Sequence, residues 1–91
     1  MERLERIKHY EAIFDEVSAK VEKLNLALDE FEAIMPMLEE LETYYASKTY
    51  RDDYDADEAG LIPKDLKRGI LSEDGIYNLL ADSDKYRNLI K

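Results

Sequence analysis

Residues 7–38 read IKHYEAIFDEVSAKVEKLNLALDEFEAIMPML, and this stretch decides the fold. Its apolar residues recur at alternating spacings of three and four, which places them on one face of an α-helix. The members of this face are Ile7, Tyr10, Phe14, Val17, Val21, Leu24, Leu28, Phe31, Met35 and Leu38. The stretch therefore predicts one long amphipathic helix.

The apolar face is wider than the seam of a two-stranded coiled coil. If the residues above occupy heptad positions a and d, the g positions are Arg6, Ile13, Lys20, Ala27, Ile34 and Leu41, and four of these six are apolar. A stripe of this width is typical of a helix packed into a small bundle.

Pro36 interrupts the helical pattern. Proline lacks the N–H donor and disfavours a helical conformation of the residue before it. Either the helix kinks here, or it ends near Ile34 and Pro36 opens a second helix. A straight helix of ~45 residues would extend ~68 Å, far beyond the ~12 Å radius of gyration of a compact domain this size. We therefore expect a break or sharp kink at Pro36 and a shorter helix over 36–46.

The second half of the chain predicts short helical pieces. Ser47 or Thr49 would cap a helix over 49–58, and Gly60 would end it in the left-handed conformation. Pro63 would open a single turn that Gly69 closes. Ser72 would cap the last helix, with the segment 82–84 as a candidate interruption.

The predicted fold class is all-α. No apolar and polar residues alternate in a β-branched run, so we expect no sheet. The predicted architecture is a single helical domain over residues 1–91. In it, a long N-terminal amphipathic helix, kinked or broken near Pro36, packs on the C-terminal helix as a small bundle.

The charge is strongly acidic, with 22 Asp and Glu against 13 Lys and Arg, a net charge of −9. Residues 24–47 contain no basic side chain but hold six acids, Asp29, Glu30, Glu32, Glu39, Glu40 and Glu42. Such a surface repels phosphate, so we expect no direct nucleic-acid binding, whereas a basic partner surface would be attracted. The absence of cysteine and of any membrane-length apolar stretch predicts a soluble cytoplasmic protein that binds no membrane.

The acidic run RDDYDADEAG, residues 51–60, raises the possibility of a divalent-metal site. Its weak candidate ligands are Asp53, Asp55, Asp57 and Glu58. An EF-hand needs glycine at the sixth position and glutamate at the twelfth, where this chain has Glu58 and Lys64. The favoured alternative is architectural: the acids pair with Lys64, Lys67 or Arg68 after the chain turns.

The sequence predicts no catalytic residue and no cofactor. There is no cysteine, no serine in a nucleophile-elbow context and no glycine-rich phosphate loop. The single histidine, His9, lies on the charged side of the long helix.

The second half of the chain, with the long amphipathic helix before it, resembles the domain of unknown function 4298 family, a family of short acidic bacterial proteins. The resemblance runs from about Arg3 to Leu80. It is carried by Tyr44-Tyr45, Asp53-Tyr54, the segment 56–60, Pro63, the segment 66–69, the segment 71–74 and Tyr77. The family has no assigned activity, so the resemblance implies an all-helical fold and no chemistry.

These observations predict a non-enzymatic protein–protein interaction module that self-associates or serves as an adaptor. The candidate interaction residues are Glu39, Glu40, Glu42, Tyr44, Tyr45, Tyr50 and Tyr54. The glutamates are candidates because an acidic surface attracts a basic partner, and the tyrosines because tyrosine is common at interfaces. The tyrosines could instead close the bottom of the bundle. Two alternative functions stay open: an acidic decoy or regulator of a basic, nucleic-acid-binding partner, and a weak divalent-metal binder at 53–58.

Overall fold

A computed structural model describes residues 1–90 and contains helices but no strand in this range. The elements are α1 (Arg3–Ala33), α2 (Met35–Tyr45), α3 (Lys48–Glu58), a 3-10 helix (Gly69–Leu71) and α4 (Glu73–Arg87). The all-α fold class and the long N-terminal helix are thus confirmed. The chain divides into two units, Met1–Ala33 and the part from Ile34 onward. The single domain and the packing of the long helix on α4 stay predictions.

The first unit is α1, with 31 residues and no buried side chain. At 1.5 Å per residue, a helix of this length extends about 46 Å. Because it is one helix, its unit offers no second element against which its apolar face could be buried.

The predicted break at Pro36 is confirmed. α1 ends at Ala33, and Ile34 caps α2 with φ −97° and ψ 8°, outside helical geometry. Pro36 lies in the first turn of α2, where a backbone N–H has no partner within the helix. The N–H that proline lacks therefore costs no intrahelical hydrogen bond. The regular ladder resumes where the Leu38 N–H donates to the Ile34 carbonyl at 3.0 Å.

The two ends of α3 follow from local side-chain and backbone chemistry. The Ser47 hydroxyl accepts a hydrogen bond from the Tyr50 N–H at 3.2 Å, so Ser47 is the N-cap. At the other end Gly60 has φ +74°, and its N–H donates to the Asp57 carbonyl. The Leu61 N–H donates to the Ala56 carbonyl, which completes a Schellman motif.

The segment between α3 and α4 contains two tight turns. The Leu66 N–H donates to the Pro63 carbonyl at 3.1 Å, as the predicted Pro63 turn requires. Gly69 does not close that turn. It begins a 3-10 helix in which the Leu71 N–H donates to the Arg68 carbonyl at 2.9 Å. No sequence pattern predicted this 3-10 helix.

Helix α4 is continuous from Glu73 to Arg87, so the candidate interruption at 82–84 is wrong. Ser72 is its N-cap and accepts from the Gly75 N–H at 3.3 Å. The buried Ser83 hydroxyl donates to the Leu80 carbonyl at 2.8 Å. This local bond satisfies the hydroxyl without breaking the helix.

The core of the second unit is small. Tyr50, Leu71 and Ile76 form its buried centre, with Tyr50 4% and Ile76 2% exposed. Partly buried apolar residues surround it: Leu41, Tyr44, Tyr45, Tyr54 and Leu80. The core thus joins the end of α2, α3, the 3-10 helix and the start of α4.

In the part of the chain that the structure describes, no helix combines the length and the apolar character that crossing a membrane requires.

Candidate interaction surface

The largest exposed apolar surface in the first unit runs along α1. We call it the α1 stripe, and its residues are Ile7, Tyr10, Ile13, Phe14, Val17, Val21, Leu24 and Leu28. Leu28 is half-buried, and the other seven are exposed by 44% (Ile13) to 65% (Phe14). Single exposed apolar residues are ordinary, but a contiguous apolar patch is unusual on the surface of a monomeric protein.

The centre of the α1 stripe forms a shallow groove of about 600 Å³ between Tyr10 and Asn25. A neighbouring groove of about 390 Å³ extends it to Arg6. All lining residues come from one helix, so both grooves are open on their remaining sides. Such a surface can accept another helix along its length, but it cannot enclose a small molecule.

The opposite face of α1 carries charged side chains. They are exposed and of both signs, and they include Asp15, Glu16, Lys23, Asp29 and Glu30. One apolar residue, Leu26, lies off the α1 stripe and is 57% exposed. Apart from Leu26, this division into an apolar and a charged face is typical of a helix that buries only one side.

The four candidate tyrosines are placed around the core of the second unit. The Tyr50 ring meets Tyr44 and Tyr45 edge to face, with centroid distances of 5.2 Å and 5.1 Å. Tyr54 lies 6.4 Å from Tyr50 and is half-buried, as are Tyr44 and Tyr45. This geometry favours the alternative in which the tyrosines close the helical core. Their role at an interface stays a prediction.

Two tyrosine hydroxyls have contrasting surroundings. The Tyr44 hydroxyl donates to Asp53 Oδ2 at 2.6 Å, and this bond is the main cause that raises the pKa of Tyr44 to about 12. The buried Tyr50 hydroxyl has no hydrogen-bond partner among the described residues. Burial first, and then the charge of Glu73, raise the pKa of Tyr50.

The acidic run 53–58 belongs to helix α3, not to a loop. Asp53 and Asp57 are half-buried and engaged, Asp53 by Tyr44 and Asp57 by an ion pair with Arg68. Asp55 and Glu58 are exposed. The architectural interpretation, in which the acids pair with the following basic turn, is confirmed for Asp57 and Arg68.

The acidic run gains no support as a metal site. In residues 1–90 no group of three or more histidine, aspartate or glutamate side chains is arranged so that it could hold a metal ion. Helical geometry also rules out the loop that an EF-hand requires.

The three candidate glutamates of α2 do not share one environment. Glu39 and Glu40 are exposed, whereas Glu42 forms an ion pair with Arg87 of α4. This contact, helped by Asp84, raises the pKa of Arg87. Sequence reasoning missed the pair because its members are 45 residues apart. The exposed acidic patch on α2 is therefore smaller than predicted.

A polar cleft of about 610 Å³ in the second unit lies between α3 and the start of α4. Its lining mixes both charge signs, and Asp57 and Arg68 in it neutralise each other. The chain's one histidine, His9, lies in α1 beside Tyr10, at a centroid distance of 4.9 Å. Neither histidine nor cysteine lines the cleft, so it offers neither of these side chains for acid–base or nucleophilic catalysis.

Comparison with known proteins finds one family. A family model described as "Domain of unknown function (DUF4298)" matches residues 7–90. No curated protein and no solved structure matches the chain.

Proposed function

The chain belongs to the DUF4298 family, and from the geometry of its own residues we propose that it is a non-enzymatic protein–protein interaction module that self-associates through the α1 stripe. The observation that carries this proposal is the exposure of seven stripe residues by 44% to 65%. Leaving such a surface in water is unfavourable by about 25 cal/mol per Å².

The length of the α1 stripe supports an intermolecular partner. α4, the longest helix of the second unit, has 15 residues against 31 in α1. At 1.5 Å per residue α4 extends about 22 Å and α1 about 46 Å. The stripe itself, from Ile7 to Leu28, spans about 32 Å. A helix as short as α4 can therefore cover about two thirds of the stripe and leaves the rest exposed.

A second copy of the chain is the occupant to which we commit. A second α1 has the same length and the same apolar pattern, so it can cover the stripe from end to end. With roughly 80–100 Å² exposed on each of seven side chains, pairing would bury about 600 Å² per copy and about 1,200 Å² in total. That total reaches the lower limit of stable, specific interfaces. For an interface of this size we expect a dissociation constant in the micromolar range.

A cytoplasmic site of action belongs to this proposal, since a chain without cysteine is compatible with a reducing compartment. The acidic-decoy alternative is less well supported, because Glu42 is paired with Arg87. Of the acids from Asp29 to Glu42 that it would use, five remain exposed for a basic partner: Asp29, Glu30, Glu32, Glu39 and Glu40.

Sedimentation equilibrium over about 1–500 µM protein tests the proposal. The wild type is expected to shift from monomer to dimer within this range. Two variants supply a matched comparison: Leu24→Ala lies in the α1 stripe and Leu26→Ala lies off it, while both leucines are 57% exposed in the same helix. We expect Leu24→Ala to weaken the dimer and Leu26→Ala to leave it unchanged. A wild type that stays monomeric up to 500 µM would overturn the proposal.

A further inference from the structure

We infer that the two copies pair through their α1 helices in antiparallel orientation. This inference rests on the proposed self-association and adds the geometry of the partner. Three features of α1 favour it: the distribution of charge along the helix, the sizes of the stripe residues at the a and d positions, and the apolar residues at the g positions.

Charge differs between the two ends of α1. Residues 1–10 hold three bases, Arg3, Arg6 and Lys8, and two acids, for +1; residues 24–33 hold three acids, Asp29, Glu30 and Glu32, and no base, for −3. A parallel pair places the two acidic ends side by side. An antiparallel pair places each acidic end beside a basic one, and it also opposes the two helix dipoles.

The sizes of the stripe residues also differ between the two halves. The aromatic members Tyr10 and Phe14 precede the centre, and the aliphatic members Leu24 and Leu28 follow it. With Val17 facing Val21, antiparallel pairing sets Phe14 opposite Leu24. The next layer sets Tyr10 opposite Leu28. Both of these layers then combine an aromatic and an aliphatic side chain, whereas parallel pairing sets Tyr10 against Tyr10 and Phe14 against Phe14.

The apolar residues at the g positions fit the same arrangement. Ile13 and Ala27 occupy g positions, and in this antiparallel register Ile13 of one copy lies beside Ala27 of the other. Parallel pairing would set Ile13 beside Ser18 and Ala27 beside Glu32 instead. Parallel pairing would add a contact between Arg6 and Glu11, but an exposed ion pair contributes little to stability.

Distances between spin labels test the orientation on the full chain, which has no cysteine of its own. In the antiparallel register, residue 5 of one copy lies opposite residue 33 of the other. Labels on Glu5→Cys are then about 28 residues, or about 42 Å, apart along the helix axis. Parallel pairing brings them to about 20 Å, the width across two packed helices. Ala19→Cys is the matched control, because it lies on the same outer line of α1 at the centre and gives about 20 Å in both orientations.

The double variant Asp29→Lys, Glu30→Lys gives an independent readout. It changes residues 24–33 from −3 to +1. An antiparallel dimer is expected to dissociate about three- to tenfold more easily at low salt, with the difference lost at about 0.5 M salt. A parallel dimer would become tighter.

The outcomes separate the inference from the proposal on which it rests. A short residue-5 distance together with a tighter double variant overturns the antiparallel orientation and leaves self-association intact. Absence of any dimer distance at Ala19→Cys, with a monomeric sedimentation profile, overturns both. A long distance at residue 5 and a short one at residue 19 support the inference.

Discussion

Removing the hydroxyl of Tyr44 is expected to destabilise the second unit, whereas removing the hydroxyl of Tyr50 is not. The two rings touch at a centroid distance of 5.2 Å and belong to the same small core. Tyr44 donates to Asp53 at 2.6 Å, while the Tyr50 hydroxyl is buried and has no partner among residues 1–90. The substitutions Tyr44→Phe and Tyr50→Phe therefore remove the same group from two different environments.

The magnitudes follow from these environments. A hydrogen bond to a charged group contributes about 1.5–3 kcal/mol, and solvent around the half-exposed Tyr44–Asp53 pair reduces this to about 1–1.5 kcal/mol. Tyr44→Phe should lower the free energy of unfolding by that amount, or lower Tm by about 4–12 °C. Tyr50→Phe removes the desolvation cost of an unpaired hydroxyl, so it should be neutral or stabilising by up to about 1 kcal/mol.

Near-ultraviolet circular dichroism during urea unfolding is a suitable assay, because six of the seven tyrosines lie in the second unit and the chain has no tryptophan. Protein concentration is held fixed, since association changes apparent stability. If Tyr50→Phe costs more than Tyr44→Phe, the hydrogen-bond assignment of the tyrosine core is refuted.

Three further outcomes are expected. Because the folded pKa of Tyr44 is about 12 and its unfolded value is 10.0, its contribution is complete below pH 10 and is lost as the pH rises towards 12; Tyr44→Phe should flatten this decline in an alkaline unfolding series. Gly60→Ala should lower the free energy of unfolding by about 1–2 kcal/mol, because alanine rarely adopts the positive φ of +74° found there. No atom lies within 4 Å of the new Cβ, so this loss comes from the backbone conformation alone. Gly69→Ala, equally open but without positive φ, should cost nothing, and equal losses at the two sites would contradict the backbone explanation. A double-mutant cycle of Asp57→Asn and Arg68→Gln should show a coupling of about 0.5–1 kcal/mol in urea unfolding; additive effects would mean that the ion pair does not stabilise the fold.

Features with short-range causes were predictable from the sequence. The 3-and-4 spacing predicted α1, the chemistry of Pro36 predicted the break, and Ser47, Gly60 and Ser72 predicted helix ends that the structure shows. The pairing of Asp57 with Arg68 was also within reach, because the Gly60 turn reverses the chain between two residues 11 apart.

Features that depend on distant contacts were not predictable. The Glu42–Arg87 pair joins residues 45 apart and left no local pattern. The segment 82–84 looked like a break because Asp and Ser are poor helix formers, but Ser83 is satisfied by its own helix. The candidate tyrosines share one short stretch, and only the fold shows that Tyr50 is buried at the centre of the core and the others surround it.

The most direct test of self-association through α1 compares the dimer dissociation constants of Leu24→Ala and Leu26→Ala by sedimentation equilibrium. Both side chains are 57% exposed in the unassociated chain, so burial of Leu24 is worth about 1–1.5 kcal/mol per copy and about 2–3 kcal/mol per dimer. The expected result is a dissociation constant raised roughly 30- to 150-fold for Leu24→Ala and unchanged for Leu26→Ala. Equal constants for the two variants, or a wild type that stays monomeric at 500 µM, would contradict the assignment of the interface to this face.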